Sequence, residues 1–214
     1  MRVFWFVRGK RSSVGKRFFD MSTTLDYYNR NAKNYAGSTV GVNMESLYSF
    51  FLKHLKPNAH ILDLGCGSGR DSKYFLDKGY SVDAVDGSEE LCKISSTLLN
   101  HPVRNLLFQD LDYQENYDAV WACASLLHIP KNDLSEVFHK IYKALKPSGI
   151  LYVSFKYGIF SGMRNDRAFT DLNESGLQEI LNAEEFQILE TLVTNDVRQD
   201  CLDEKWLNTM LKKV

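Results

Sequence analysis

Ile61-Leu62-Asp63-Leu64-Gly65-Cys66-Gly67-Ser68-Gly69-Arg70 reads as a buried strand, a glycine turn and the start of a helix. A second strand, Ser81-Val82-Asp83-Ala84-Val85-Asp86, follows and ends in a carboxylate. Asp86 lies about twenty residues past the first glycine, the spacing at which nucleotide-binding α/β folds set an acid on a ribose hydroxyl pair. The glycines alternate as G-x-G-x-G. A dinucleotide fold uses G-x-G-x-x-G, and Arg70 stands where its third glycine belongs, which argues against a nicotinamide dehydrogenase. Asp63 is a carboxylate in an otherwise apolar strand and needs a partner, for which the ammonium of a bound ligand would serve.

Outward from this unit, strand and helix patterns alternate. Helical spacings cover 22–36, 43–56, about 70–78, 88–99, 132–145 and 173–182, and strands are expected at 60–65, 81–86, 105–109, 117–123 and 150–155. Gly79 suits a helix C-cap and Ser88 a helix N-cap. Lys146-Pro147-Ser148-Gly149 stops the fifth helix. Residues 186–194 and 206–211 read as a final antiparallel pair. The alternation predicts an α/β fold with a doubly wound, mostly parallel sheet.

An acid, then G-x-G-x-G, then a ribose acid resembles the first two motifs of the class I S-adenosylmethionine-dependent methyltransferases. The resemblance covers about residues 22–214 and implies a Rossmann-like, seven-stranded sheet with a C-terminal antiparallel hairpin. It is looser towards the compact tellurite-resistance type. It also implies S-adenosylmethionine as cofactor and methyl transfer to an acceptor by in-line displacement. Donor-holding residues would be Asp63, Gly65, Cys66, Gly67, Gly69, Asp86, Gly87 and Ser88. By the same resemblance, Asp110 would lie near the adenine amino group with Leu111 flanking the ring. Cys123 would abut the methionine moiety. Tyr28 and Tyr35 fall in a helical lid at about 22–56, where surface packing explains them equally well.

Acceptor sites in open α/β sheets lie beyond the carboxyl ends of the strands. Those ends offer His128 as a catalytic base or a helix-entry hydrogen bonder. They also offer Lys156, Tyr157, Arg164, Arg167, Asp196 and Arg198 for binding an anionic or polar small molecule, or as a solvated loop of ion pairs.

Composition narrows the rest. The chain has 214 residues, enough for one substantial core. Its 26 basic and 27 acidic residues give no global field of the kind that marks a dedicated nucleic-acid binder. A nucleic-acid partner, as in tRNA base methylation, is the alternative to a small-molecule acceptor, and a non-catalytic donor-binding module is a third reading. No apolar run is long enough for a membrane span. Cys66, Cys92, Cys123 and Cys201 have no framework spacing, so reduced thiols in a cytoplasmic monomer are expected, and the scattered histidines support no metal site. Residues 1–20, with Arg8, Lys10, Arg11, Lys16 and Arg17 after an apolar start, are expected to be a disordered basic extension, leaving 21–214 as a single domain.

Overall fold

The computed structural model describes residues 21–198 and 203–214. The basic segment 1–20 and Cys201 lie outside them. Seven strands form one sheet in the order β3-β2-β1-β4-β5-β9-β8. The strands are β1 (His60–Leu64), β2 (Ser81–Asp86), β3 (Arg104–Asn105), β4 (Tyr117–Ala122), β5 (Leu145–Lys156), β8 (Phe186–Asn195) and β9 (Lys205–Lys213). The first five run parallel, and β9 pairs antiparallel with both β5 and β8. This is the doubly wound sheet with a terminal antiparallel pair that the alternation predicts. Among the described residues no helix is long and apolar enough to cross a membrane.

Residues of the central strands alternate between two cores. Leu62, Leu64, Val120, Leu151 and Val153 face one side and pack with Val137, Phe138 and Ile141 of helix α5 (Leu134–Ala144). Ile61, Trp121, Tyr152 and Met210 face the other. There they meet Tyr48 and Phe51 of α2 (Glu45–Leu52) and Phe75 of α3 (Arg70–Asp77). Both faces are covered, so the central strands β1, β4 and β5 are buried over most of their length.

One polar cluster crosses the second core. Asp71, at the start of α3, accepts from the Tyr48 hydroxyl at 2.6 Å, Arg70 Nε at 2.6 Å and Trp121 Nε1 at 2.8 Å. Trp121 stacks on Tyr152, with ring centroids 4.0 Å apart, and the Tyr152 hydroxyl donates to Asn208 Oδ1. A buried carboxylate with this many donors is satisfied. It ties α2, α3 and β4 together.

Helix α1 (Met21–Thr39) packs along α4 (Glu89–Leu99) and against strand β7 (Arg167–Thr170). Hydrogen bonds pin it along its length. Ala168 N–H donates to Thr24 Oγ1 at 2.9 Å, Ser88 Oγ to Asn29 Oδ1 at 2.7 Å, and Tyr28 bonds His128. Ser88 also caps α4, accepting from Leu91 N–H, and Asn173 caps α6 (Glu174–Ile180).

Three local expectations change. Strand 105–109 shortens to Arg104–Asn105, because residues 108–110 turn into a 3₁₀ helix, with Asp110 N–H on the Leu107 carbonyl. The stop at 146–149 lies inside β5: Leu145 already pairs with Tyr117, and the register shifts before Ile150 joins Ala119. Ser148, at φ +61°, takes up that shift. The segment after β5, read as a loop, contains a hairpin of β6 (Ser161–Arg164) and β7. Its two-residue turn, Asn165-Asp166, has φ +47° and +61°, the primed geometry that matches strand twist.

Gly65 shows how tightly the first turn is built. Its φ is +86°, and a Cβ there would meet Ser125 Cβ at 2.5 Å. Gly65→Ala is expected to lower stability by about 1–3 kcal/mol through strain and clash. Gly37→Ala, on the open face of α1, is expected to be neutral or stabilising by up to about 1 kcal/mol. Urea midpoints of both variants check this pair.

Candidate active site

The carboxyl ends of β1, β2, β4 and β5 open on two chambers. The first, about 590 Å³ including its mouth, lies between α1 and the strand ends. Asp86 and Gly87 form its floor, Leu25, Leu91, Leu106, Leu107 and Phe108 its apolar walls. The second, about 1370 Å³ including its mouth, runs from Cys66, Ser68 and Arg70 past Cys123 and Ser154 to Lys156, Arg167 and Phe169. It ends at Asp196, Arg198 and Trp206. Six residues line both chambers: Tyr28, Tyr35, Gly65, Gly67, Ala124 and His128. These form a shared partition.

Asp86 sets the first chamber. It is buried, and its two oxygens accept from Gly67 N–H at 2.9 Å and Ser88 N–H at 2.8 Å. Burial raises its pKa, and those two backbone bonds act against the rise. The carboxylate thus clamps the glycine loop to the tip of β2. Tyr35 then lies over the loop, close enough that a Cβ on Gly67 would stand 3.2 Å from Tyr35 Cε1.

The partition carries a proton-bearing pair. His128 Nδ1 donates to the Ala168 carbonyl at 2.7 Å, so its Nε2 is the acceptor for the Tyr28 hydroxyl at 2.8 Å. Burial lowers the His128 pKa to about 4, keeping the ring neutral. Burial also raises the Tyr28 hydroxyl, while Arg167 pulls it back down. Cys123, at the start of the second chamber, is pushed up by burial to about 12 and is a thiol, not a thiolate.

The cations of the second chamber are unequal. Arg70 is held by Asp71, Lys156 by Glu204, and Arg198 by Asp196. Arg167 has no carboxylate within ion-pair distance among the described residues. Its Nε is buried without a hydrogen-bond partner there. Its guanidinium lies over the rings of Tyr27 at 4.5 Å and Phe169 at 5.2 Å.

Residues 61–149 match the family model described as a methyltransferase domain. YqeM of Bacillus subtilis (strain 168), which carries a methyltransferase name, is 33% identical over 132 residues, covering 56% of this chain and 52% of that protein. Phosphoethanolamine N-methyltransferase 2 of Caenorhabditis elegans is 31% identical over 120 residues, covering 52% of this chain and 27% of its own length. The fold matches Burkholderia thailandensis 1,6-didemethyltoxoflavin-N1-methyltransferase, solved with 1,6-didemethyltoxoflavin and S-adenosylhomocysteine bound. The TM-score is 0.72 at 22% identity, over 92% of this chain and 88% of that one. The chain thus carries a stretch similar to methyltransferase domains and shares its fold with a solved methyltransferase. It spans about half or less of the length of the two curated relatives named.

The sequence-predicted residues divide. Gly65, Cys66, Gly67, Asp86, Gly87, Cys123, Tyr28, Tyr35 and His128 line one or both chambers, as do Lys156, Arg167, Asp196 and Arg198. The others do not. Asp63 lies beneath the loop, where Ser72 Oγ donates to it at 2.6 Å, and it lines neither chamber. Gly69 and Ser88 shape helix starts, Gly69 packing on Ser95. Asp110 is exposed and Leu111 is in the core, because the 3₁₀ turn brings Leu107 and Phe108 to the chamber wall instead. Tyr157 is exposed and donates to Glu174; Arg164 is held bidentately by Asp171. Sequence reasoning missed Arg70, Asp71, Ser125, Phe169 and Trp206, whose place at the site depends on contacts far apart in the chain.

The depressed His128 pKa has a sign that can be tested. Below pH 6.5 the unfolded chain binds a proton at this histidine and the folded chain does not until about pH 4. Stability from this residue is therefore lost as pH falls through that window. Between pH 7 and pH 5 the stability advantage of wild type over His128→Gln should shrink by about 2 kcal/mol, read from urea unfolding of both proteins.

Proposed function

We propose that this chain transfers a methyl group from S-adenosylmethionine to a small polar or anionic acceptor, releasing S-adenosylhomocysteine. The observation that carries this reading is the partition: one chamber with a ribose-type acid and apolar walls meets a polar chamber across two glycines and two tyrosines. A donor laid across it would keep its adenosine in the first chamber, with Asp86 on the ribose hydroxyls and Leu106, Leu107 and Phe108 against the base. Its methionine part would pass Gly67 towards Cys66, Arg70 and Cys123, leaving the sulfonium beside Tyr28, Tyr35 and Ala124. The π faces of the tyrosines suit a cation.

The acceptor would then enter from the second chamber. Transfer is a displacement at carbon. The nucleophile's electron pair forms the new bond to the methyl carbon, and the carbon–sulfur pair returns to sulfur, which loses its positive charge. Proximity, alignment and exclusion of water supply most of the rate. A proton lost by the acceptor has a route through Tyr28 to His128, whose Nε2 already accepts the tyrosine hydroxyl. His128 thus acts behind Tyr28 rather than on the acceptor directly. The relatives named for phosphoethanolamine and 1,6-didemethyltoxoflavin methylation act on small molecules, which supports a small acceptor here. In this reading α1 serves as the lid, because it supplies Tyr28 and Tyr35 and lies over both chambers.

Calorimetric titration tests the donor. S-Adenosylmethionine and S-adenosylhomocysteine should bind and NAD should not. Asp86→Asn should weaken both by about 1–3 kcal/mol, the loss of charge-assisted hydrogen bonds. Binding of NAD alone, or an unchanged affinity in Asp86→Asn, would contradict the reading.

A further inference from the structure

The charges of the second chamber narrow the acceptor's chemistry. Its described lining holds four cations, Arg70, Lys156, Arg167 and Arg198, and three acids, Asp71, Asp196 and Glu204. Each acid neutralises one cation: Asp71 takes Arg70, Glu204 takes Lys156, and Asp196 takes Arg198 with two bonds of 2.9 and 2.6 Å. His128 is neutral. One positive charge is left over, and it sits on Arg167. The donor adds a second, because its ammonium and carboxylate cancel while the sulfonium does not.

Arg167 is also built to be a recognition group. It stands on β7, directly after a two-residue turn. The neighbouring Ala168 is fixed on both sides, through its N–H to Thr24 and its carbonyl to His128. Tyr27 and Phe169 flank the guanidinium, fixing its plane at low entropic cost. A buried donor without an acceptor is costly, and Arg167 Nε is such a donor among the described residues. Arg164, three residues earlier, is the internal contrast. It rests on the same Phe169, but Asp171 fills its fork with bonds of 2.9 and 2.6 Å. Asp171 shows what an arginine on this hairpin takes when it has a partner, which is a carboxylate held bidentately.

We propose that the acceptor is a monocarboxylic acid with an apolar, ring-sized body, and that Arg167 holds its carboxylate. This rests on the methyl-transfer reading and deepens it. One uncompensated guanidinium matches a monoanion: the sulfonium loses its charge on transfer, so in the S-adenosylhomocysteine complex the second charge of a phosphate monoester would meet no free cation among the described lining residues. Phe169, Trp206 and Leu127 supply the apolar walls for the body of the acid. The carboxylate is held and not methylated, so a different atom of the acceptor, a hydroxyl or amine, faces the sulfonium beside Tyr28.

The test uses the full chain saturated with S-adenosylhomocysteine. It is titrated with benzoate, phenylacetate and 4-hydroxybenzoate, each against its neutral carboxamide, and with phenyl phosphate. Carboxylates should bind at least about tenfold tighter than their amides, the range of a charge-assisted fork. Arg167→Gln should abolish that preference, Arg167→Lys should keep part of it, and S-adenosylhomocysteine affinity should be unchanged in both. Equal binding of acid and amide, a preserved preference in Arg167→Gln, or tighter binding of phenyl phosphate would overturn the proposal. So would a loss of S-adenosylhomocysteine affinity in Arg167→Gln with 5′-methylthioadenosine unaffected, because Arg167 would then hold the donor's carboxylate. Failure of S-adenosylhomocysteine to bind the wild-type chain is a separate result, and it sinks the methyl-transfer reading itself.

Discussion

The Asp86 carboxylate, buried and bonded to the backbone N–H groups of Gly67 and Ser88, is the constraint on which the rest of the site depends. A carboxylate out of water costs several kcal/mol unless donors replace the lost solvent. Here the donors are the turn after β1 and the start of α4. The acid therefore fixes the distance between two neighbouring strand ends, and that distance shapes the first chamber. Everything above it is arranged on this clamp. Tyr35 lies on Gly67, Ser125 abuts Gly65, and α1 closes over both.

The same economy of partners explains the second chamber. Asp71 is buried among Arg70, Tyr48 and Trp121, and it secures the start of α3 beneath the glycine loop. Asp196 plays the equivalent part at the far end, accepting from Arg198 and Trp206 Nε1. With both ends closed by internal pairs, the only cation without a described acid is Arg167, in the middle. In the proposed reading, selectivity for charge comes from which pairs are already made, not from how many cations line the wall.

Much of this was legible in the sequence, and the limits have physical causes. The strand–glycine–helix unit and the acid at the end of β2 are local in the chain, so spacing alone points to Gly65, Gly67 and Asp86, which line the first chamber. Sheet type followed from apolar runs that need cover on both faces. Asp63 announces a partner without saying which, and in the structure Ser72, nine residues on, donates to it. Asp110 misled because its strand ends early and the turn carries Leu107 and Phe108 inward. The β6–β7 hairpin was hidden by a turn of Asn165-Asp166 with no glycine to signal positive φ. Arg164 and Arg167 could not be told apart, since the difference is Asp171, which lies on the segment after β7. Asp71 follows the glycine loop directly, yet its burial depends on Tyr48 and Trp121, which no local pattern relates to it.

The measurement that bears most directly on this account is a crystal structure of the chain grown with S-adenosylhomocysteine. The ribose hydroxyls are expected on Asp86, the adenine between Leu106, Leu107 and Phe108, and the sulfur at the partition beside Tyr28 and Tyr35, with the second chamber open to the sulfur. A nucleoside bound away from Asp86, or a sulfur facing away from the second chamber, would contradict it.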